Sequence, residues 1–183
     1  MRIIRIKPLE NPRFIEPLEI VYEQGGKIKR WEAVKAHDSV AVLLYHSQKN
    51  AFLLVKQFRP ALYLQHGFKY SYELCAGIVD KDKSLEEIAL EEAVEETGYR
   101  PKSIEKITSF FTSVGFAGSR QTLFYAQIDE SDKVGEGGGI EDEEIEPLFI
   151  PVKEAKKFMY DESIPKTPGL LFAFCWWFEK RLS

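Results

Sequence analysis

The sequence has little of what marks secreted, membrane-spanning or disulfide-rich proteins. Only two of its 183 residues are cysteines, Cys75 and Cys175. They lie far apart in apolar surroundings, so no disulfide framework is indicated and both are expected in the core. No apolar run approaches the length that spans a bilayer, and the start, MRIIRIKPLENP, lacks the apolar region of a signal peptide. These absences predict a cytoplasmic protein with no membrane partner.

An excess of positive charge is also absent. The formal net charge is −4, and no basic stretch is long enough to follow a phosphate backbone, so no nucleic-acid partner is expected. With 44% hydrophobic and 30% charged residues, the composition is that of an ordinary globular chain. The three histidines show no spacing typical of a metal site: His37, His46 and His66.

Strands dominate the chain, with about three helices among them. Before residue 37, prolines interrupt the predicted strands. Residues 18–22 and 29–35 predict the two strands of a β-hairpin around a glycine turn. Residues 61–70 are expected to be irregular. Later strands are predicted at 39–45, 51–58, 72–75, 103–112, 121–128 and 145–150, and helices at 84–98, 152–159 and 170–181. This order predicts an α/β or α+β sandwich.

The helix before Gly98 has clear ends. Ser84 is a good N-cap, Glu87 completes an S-x-x-E capping box, and Gly98 stops the helix after about 14 residues. One face is apolar and predicts packing on the core. That face consists of Leu85, Ile88, Ala89 and Ala93.

The other face of this helix is acidic. Glu92, Glu95 and Glu96 stand at i, i+3 and i+4, so their carboxylates project together and repel one another. A divalent cation held by oxygen ligands would remove that repulsion, although acidic runs are commonly just solvated helix faces. Gly77, in the loop before the helix, favours the metal hypothesis because it allows a ligand to come close to the backbone.

This segment resembles the signature box of the Nudix hydrolases, G-x5-E-x7-R-E-U-x-E-E-x-G-U, where U is bulky and apolar. Lys83 stands in place of the first glutamate of the box, Glu91 in place of its arginine, and Ala93 is small for a U position. Because the two charged departures have opposite signs, an ion pair of reversed polarity is a hypothesis for them. The positions that match are Gly77, Glu92, Glu95, Glu96, Gly98 and Tyr99.

Segments outside the box, including HDSVAVLLY, TSVGFAGSRQTLFYAQ and SIPKTPGLLFAFCWWF, are similar to the UDP-sugar diphosphatase and ADP-ribose pyrophosphatase branch of that family. The resemblance implies the Nudix fold, a mixed β-sheet between helices with an N-terminal β-hairpin subdomain. Residues 1–36 would then form a dimerisation and base-pocket element, and residues 37–183 the hydrolase domain. A homodimer is implied.

The resemblance also implies a magnesium site, with manganese as a possible substitute. Its ligands would be Glu92, Glu96 and the backbone carbonyl of Ala76, with Glu95 as a ligand or a catalytic support. The acidic segment GGGIEDEEIE follows three glycines and could be only a solvated loop. By resemblance it carries the general base, with Glu141 as the first choice and Glu143 as the alternative base or a further metal ligand.

Four residues are assigned to substrate binding. Arg59 and Arg120 both lie at the ends of predicted strands, next to loops. A guanidinium can bind a diphosphate through two hydrogen bonds. Each arginine could equally be part of a structural ion pair. Trp31 could stack on a base, although packing is the simpler role, and Glu73 completes the set.

The resemblance implies magnesium-dependent hydrolysis of a nucleoside diphosphate sugar, of the UDP-glucose type, to a nucleoside monophosphate and a sugar 1-phosphate. One alternative is an ADP-ribose pyrophosphatase, because the same groups would serve either diphosphate. A second alternative is a nucleotide-sugar-binding Nudix module with weak catalysis, which the departures at Lys83 and Glu91 would suit.

Overall fold

The computed structural model describes residues 3–12, 14–140 and 143–182. These ranges contain nine strands and four α-helices. The strands are Ile15–Gln24 (β1), Lys27–Ala36 (β2), Ser39–His46 (β3), Ala51–Gln57 (β4), Ser71–Glu73 (β5), Cys75–Ile78 (β6), Glu105–Thr112 (β7), Ser119–Ile128 (β8) and Ile145–Pro151 (β9). The helices are Pro60–His66 (α1), Leu85–Thr97 (α2), Val152–Tyr160 (α3) and Pro168–Leu182 (α4).

The predicted N-terminal hairpin is present and forms its own two-stranded sheet. Strands β1 and β2 pair antiparallel around Gly25 and Gly26, whose φ angles of 61° and 70° suit glycine. The hairpin also contacts the turn between β7 and β8. Trp31 Nε1 donates to the Gly115 carbonyl at 2.6 Å, and the Val34 amide donates to the Phe116 carbonyl at 2.8 Å. The hairpin is therefore hydrogen-bonded to the edge of the main sheet.

The main sheet has seven strands and a fork at its centre. Its path is β5-β4-β3-β8-β7, with β6 added to β3 and β9 added to β4. Only β3 and β8 pair in parallel among these strands of the described chain. The first half of β3 pairs with β6 and the second half with β4. The single strand predicted at 72–75 is thus wrong, because the chain changes partner strand at Leu74.

Helices cover both faces of this sheet, which confirms the predicted fold class. Alternate residues of β3 point to opposite faces, as strand geometry requires. Leu43 packs in a cluster with Phe174 of α4, whereas Val42 packs in a cluster with Ile88 of α2. Helix α3 joins the first cluster through Phe158. The core therefore lies in two layers, one on each side of the sheet.

Two local predictions were wrong. Residues 61–70, expected to be irregular, contain most of α1, which begins at Pro60, ends at His66 and is followed by Gly67 with φ of 77°. Cys175, expected in the core, is exposed, whereas Cys75 is buried as predicted. No helix in the described ranges has the length and apolar character needed to cross a membrane.

Candidate active site

Helix α2 carries the predicted glutamates, and its ends are built as the sequence indicates. The Ser84 side chain accepts from the Glu87 amide, the Glu87 side chain accepts from the Ser84 amide, and Gly98 ends the helix with φ of 76°. On the inner face, Ile88 and Ala93 are fully buried. This packing fixes the rotation of the helix, so the acidic face is directed towards β6.

The acidic face lines a cavity of about 880 Å³. Six carboxyl groups and two cationic groups contribute to its wall. The acidic residues are Glu73, Asp80, Glu92, Glu95, Glu96 and Glu143, and the cationic residues are Arg59 and Lys81. Because carboxylates outnumber cations, an anionic ligand would enter this cavity only together with positive charge.

Glu96 is the most buried of these carboxyl groups, with 4% of its surface exposed. Its Oε2 accepts from the Ala76 amide at 3.0 Å, which joins α2 to β6. Burial raises the pKa of Glu96 to about 8, and burial followed by the charge of Glu95 raises the pKa of Glu92. Glu96 therefore favours a bound proton at neutral pH, and a cation beside it would favour the ionised form instead.

Gly77 makes room for the carboxyl group of Glu92. A Cβ atom at Gly77 would lie 2.2 Å from both Cδ and Oε1 of Glu92, which is far inside normal contact. The absence of a side chain at this position therefore forms a cradle for that carboxylate. The sequence predicted close approach at Gly77, and the structure identifies the approaching group.

The residues around this cradle fit a hard divalent cation by their chemistry. Magnesium prefers carboxylate and carbonyl oxygens, and such groups cluster here without enough basic partners. Within the part of the chain that the structure describes, no three His, Cys, Asp or Glu side chains already converge as metal ligands. The fit therefore rests on the type of donor, the cradle at Gly77 and the raised pKa of Glu92 and Glu96.

The glycine-rich acidic loop reaches the same cavity. The amides of Gly138 and Gly139 donate to the carbonyls of Glu96 and Glu95 at 2.9 and 3.0 Å, so the loop binds the end of α2. Glu143 lines the cavity, and its Oε2 accepts from the Ile140 amide at 3.0 Å. Glu141, the first choice for the base, lies outside the described residues.

Arg59 and Glu73 form a bidentate ion pair in the cavity wall. Arg59 Nε donates to Glu73 Oε1 at 2.9 Å, and a terminal nitrogen donates to Oε2 at 2.7 Å. The pair raises the pKa of Arg59, first through the hydrogen bond with Glu73. Glu73 is buried, whereas about half of the Arg59 side chain is exposed. The guanidinium is thus held in a fixed orientation with an accessible face.

Two other residues predicted to bind substrate do not line this cavity as it is described. Arg120 Nε lies 3.6 Å from Asp38 Oδ2, and its amide donates to Asp38 Oδ1. Within the chain, Arg120 thus forms the ion pair that was its alternative role. Trp31 is about half exposed on the hairpin.

The structure adds residues that the sequence did not single out. Asp80 and Lys81 lie inside the box segment, between Gly77 and the helix, and line the cavity. Their position within the box segment was the sequence signal that could have identified them. The hypothesis of a reversed ion pair is confirmed, because Lys83 contacts Glu91. Gln57 and Gln121 also line the cavity, and only the pairing of distant strands brings them there.

Comparisons with known proteins agree with this site. A model of the NUDIX domain matches residues 35–168. Uridine diphosphate glucose pyrophosphatase of Bos taurus is 37% identical, over 90% of this chain and 88% of its own length. GDP-mannose pyrophosphatase of Pectobacterium atrosepticum is 38% identical, over 78% of this chain and 74% of its own length. The matched range contains all the cavity carboxylates.

Proposed function

Because this chain belongs to the NUDIX domain family, we propose that it hydrolyses the diphosphate of a nucleoside diphosphate sugar with the help of magnesium. The observation that carries the proposal is the cavity in which Glu92, Glu95, Glu96 and Glu143 face a fixed arginine. The pyrophosphatase relatives named above act on UDP-glucose and GDP-mannose by their names, which supports a nucleotide sugar as substrate.

Glu92, Glu95 and Glu96 are the residues that would hold magnesium, with the Ala76 carbonyl as a further oxygen donor. When bound, the cation supplies charge neutralisation for the diphosphate and polarises its oxygens. Without a cation, the carboxylates of the cavity would repel that substrate.

Arg59 would orient the diphosphate through the accessible part of its guanidinium, while Glu73 keeps that group in place. A carboxylate of the acidic loop would take a proton from the water that attacks phosphorus. Glu143 lines the cavity, and Glu141 is the other candidate for this base. The products would be a nucleoside monophosphate and a sugar 1-phosphate.

One assay separates the possible substrates. We expect UDP-glucose or GDP-mannose to be hydrolysed with magnesium and not with a chelator, and Glu96→Gln to lower kcat by orders of magnitude while the fold is kept. Faster hydrolysis of ADP-ribose would establish the alternative enzyme. Tight binding of a nucleotide sugar without turnover would establish a binding module instead.

The base is tested by two matched variants, Glu141→Gln and Glu143→Gln. The variant that lacks the base should lose at least about a hundredfold in kcat, the low end of general-base contributions. The other should lose much less. Equal, small losses in both would contradict a base in this loop.

We also propose that residues 1–36 serve a homodimer and its base pocket, next to a hydrolase domain of residues 37–183. The support is that the hairpin exposes apolar side chains on both faces, with Leu18, Ile20 and Trp31 on one face and Val21 and Ile28 on the other. Light scattering should give twice the monomer mass for the wild type, and replacing Ile20 and Ile28 by Asp should yield monomers. A monomeric wild type would contradict this proposal.

A further inference from the structure

Lys81 stands where two cavities meet. It lines the candidate active site, and it also lines a second cavity of about 570 Å³ beside α2, together with Lys83 and Arg100. Its loop is held on one side by the Val79 amide, which donates to the Asp38 carbonyl at 2.8 Å, and on the other by the Ser84 cap. The ammonium group therefore reaches the site from an anchored loop.

Different carboxylates raise the pKa values of the two cationic residues in the active-site cavity. The carboxylates whose charges act on Arg59 are Glu73, Glu96 and Glu143. Burial lowers the pKa of Lys81, and the charges of three other residues, Glu95, Glu92 and Glu91, raise it. Arg59 and Lys81 thus interact electrostatically with different carboxylates of the acidic cluster.

The contact that holds Lys81 is also of a different kind. Its Nζ lies 3.6 Å from Glu91 Oε2, whereas Arg59 is fixed by two short hydrogen bonds in a rigid geometry. A lysine is a compact charge on a flexible stem, so it exchanges one acceptor for another with little geometric cost. Lys81 can therefore turn from Glu91 towards an anionic ligand.

Glu91 keeps a partner when Lys81 turns away, because Lys83 contacts its other carboxylate oxygen. An exchange of Lys81 from Glu91 to a phosphate therefore leaves Glu91 paired with Lys83. This gives a role to the two box positions that depart from the family pattern. Lys83 holds Glu91, and Glu91 holds Lys81 beside the cavity until a ligand arrives.

We propose that Lys81 is a substrate-binding residue that contacts a phosphoryl oxygen of the diphosphate from the Glu92 and Glu95 side, while Arg59 contacts the substrate from the side of Glu96. The inference rests on the proposed function for the identity of the substrate. It requires for itself only that an organic diphosphate binds in this cavity.

The test compares Lys81→Met and Lys81→Arg in turnover and in binding, with UDP-glucose and GDP-mannose as probes. Lys81→Met should raise KM and the dissociation constant about tenfold or more and change kcat less. Lys81→Arg should recover most of the affinity, because it retains the charge. Lys180→Met is the matched control, because Lys180 is an exposed lysine of α4 that forms an ion pair with Glu105 of β7.

A double variant separates substrate contact from a purely structural ion pair. If Lys81 acted only through Glu91, Lys81→Met would have no further effect on KM in a Glu91→Gln background. We expect it still to raise KM several-fold there. Additional loss in the double variant supports the proposal, and no additional loss overturns it.

Binding measurements keep this inference distinct from the proposed function. If the wild type binds a probe without turnover and Lys81→Met weakens that binding tenfold, the proposed hydrolysis fails and the role of Lys81 stands. If Lys81→Met leaves the dissociation constant and KM within twofold of wild type, the role of Lys81 is overturned. If the wild type binds neither probe, both are overturned.

Discussion

Gly77→Ala should separate the placement of Glu92 from the stability of the fold. The added Cβ would lie 2.2 Å from the Glu92 carboxyl group, about 1.2 Å short of the 3.4 Å at which ordinary contact begins. Because the conflict is with the end of a flexible side chain, we expect Glu92 to move by about that distance while β6 stays paired with β3. The unfolding midpoint should therefore change little.

The loss should appear in catalysis and metal binding. Misplacement of a catalytic group by about 1 Å can cost about a hundredfold in rate, so we expect kcat/KM to fall about a hundredfold. Calorimetric titration should show weaker magnesium binding. Gly115→Ala is the control, because a Cβ at Gly115 would meet nothing within 4 Å. Activity of Gly77→Ala within threefold of wild type would refute the assignment of Glu92 to the cradle.

Three further predictions concern charge. Burial raises the pKa of Glu96 to about 8, so the folded protein without metal binds a proton that the unfolded chain releases. The free energy of unfolding should therefore fall as pH rises from about 5 to 8. Denaturant titrations should show that Glu96→Gln removes this fall. Burial lowers the pKa of His46, so neutral His46 stabilises the fold fully above about pH 6.5, and this stabilisation is lost on acidification. In His46→Asn, the free energy of unfolding should therefore fall less between pH 7 and 5 than in the wild type. Lys83→Met and Glu91→Gln should be non-additive in free energy of unfolding, and strict additivity would show that their contact is not energetically coupled.

The acidic helix and the hairpin could be predicted because their signals are local. A capping box spans four residues, and the turn of a hairpin is set by a pair of adjacent residues, so Ser84 and Gly25 mark the ends of their elements directly. Helix α1 was missed for the opposite reason. Helix α1 has only 7 residues, no side-chain cap and no buried residue. The sequence therefore marks it only by Pro60 at its start and Gly67 after its end.

Residue spacing by itself could predict only the part of the candidate site that one element carries. Glu92, Glu95 and Glu96 share a helix face, so their spacing was enough to predict that their carboxyl groups lie together. The partner of Arg59 could not be derived in this way, because Glu73 reaches it through the pairing of β5 with β4. The contact of Arg120 with Asp38 could not be derived either, because it joins two segments that are distant in the sequence.

The parallel pairing of β3 with β8 has a consequence for how this protein acquires its site. Ser39 pairs with Gln121, and the whole of α2 lies in the sequence between them. The acidic helix can form early from local contacts, whereas closing a long segment around it carries an entropic cost that slows folding. We therefore expect a chain that ends before Ser119, and so lacks β8, to form the glutamate helix without the complete sheet that orients it. Magnesium affinity should then develop only in the last phase of folding.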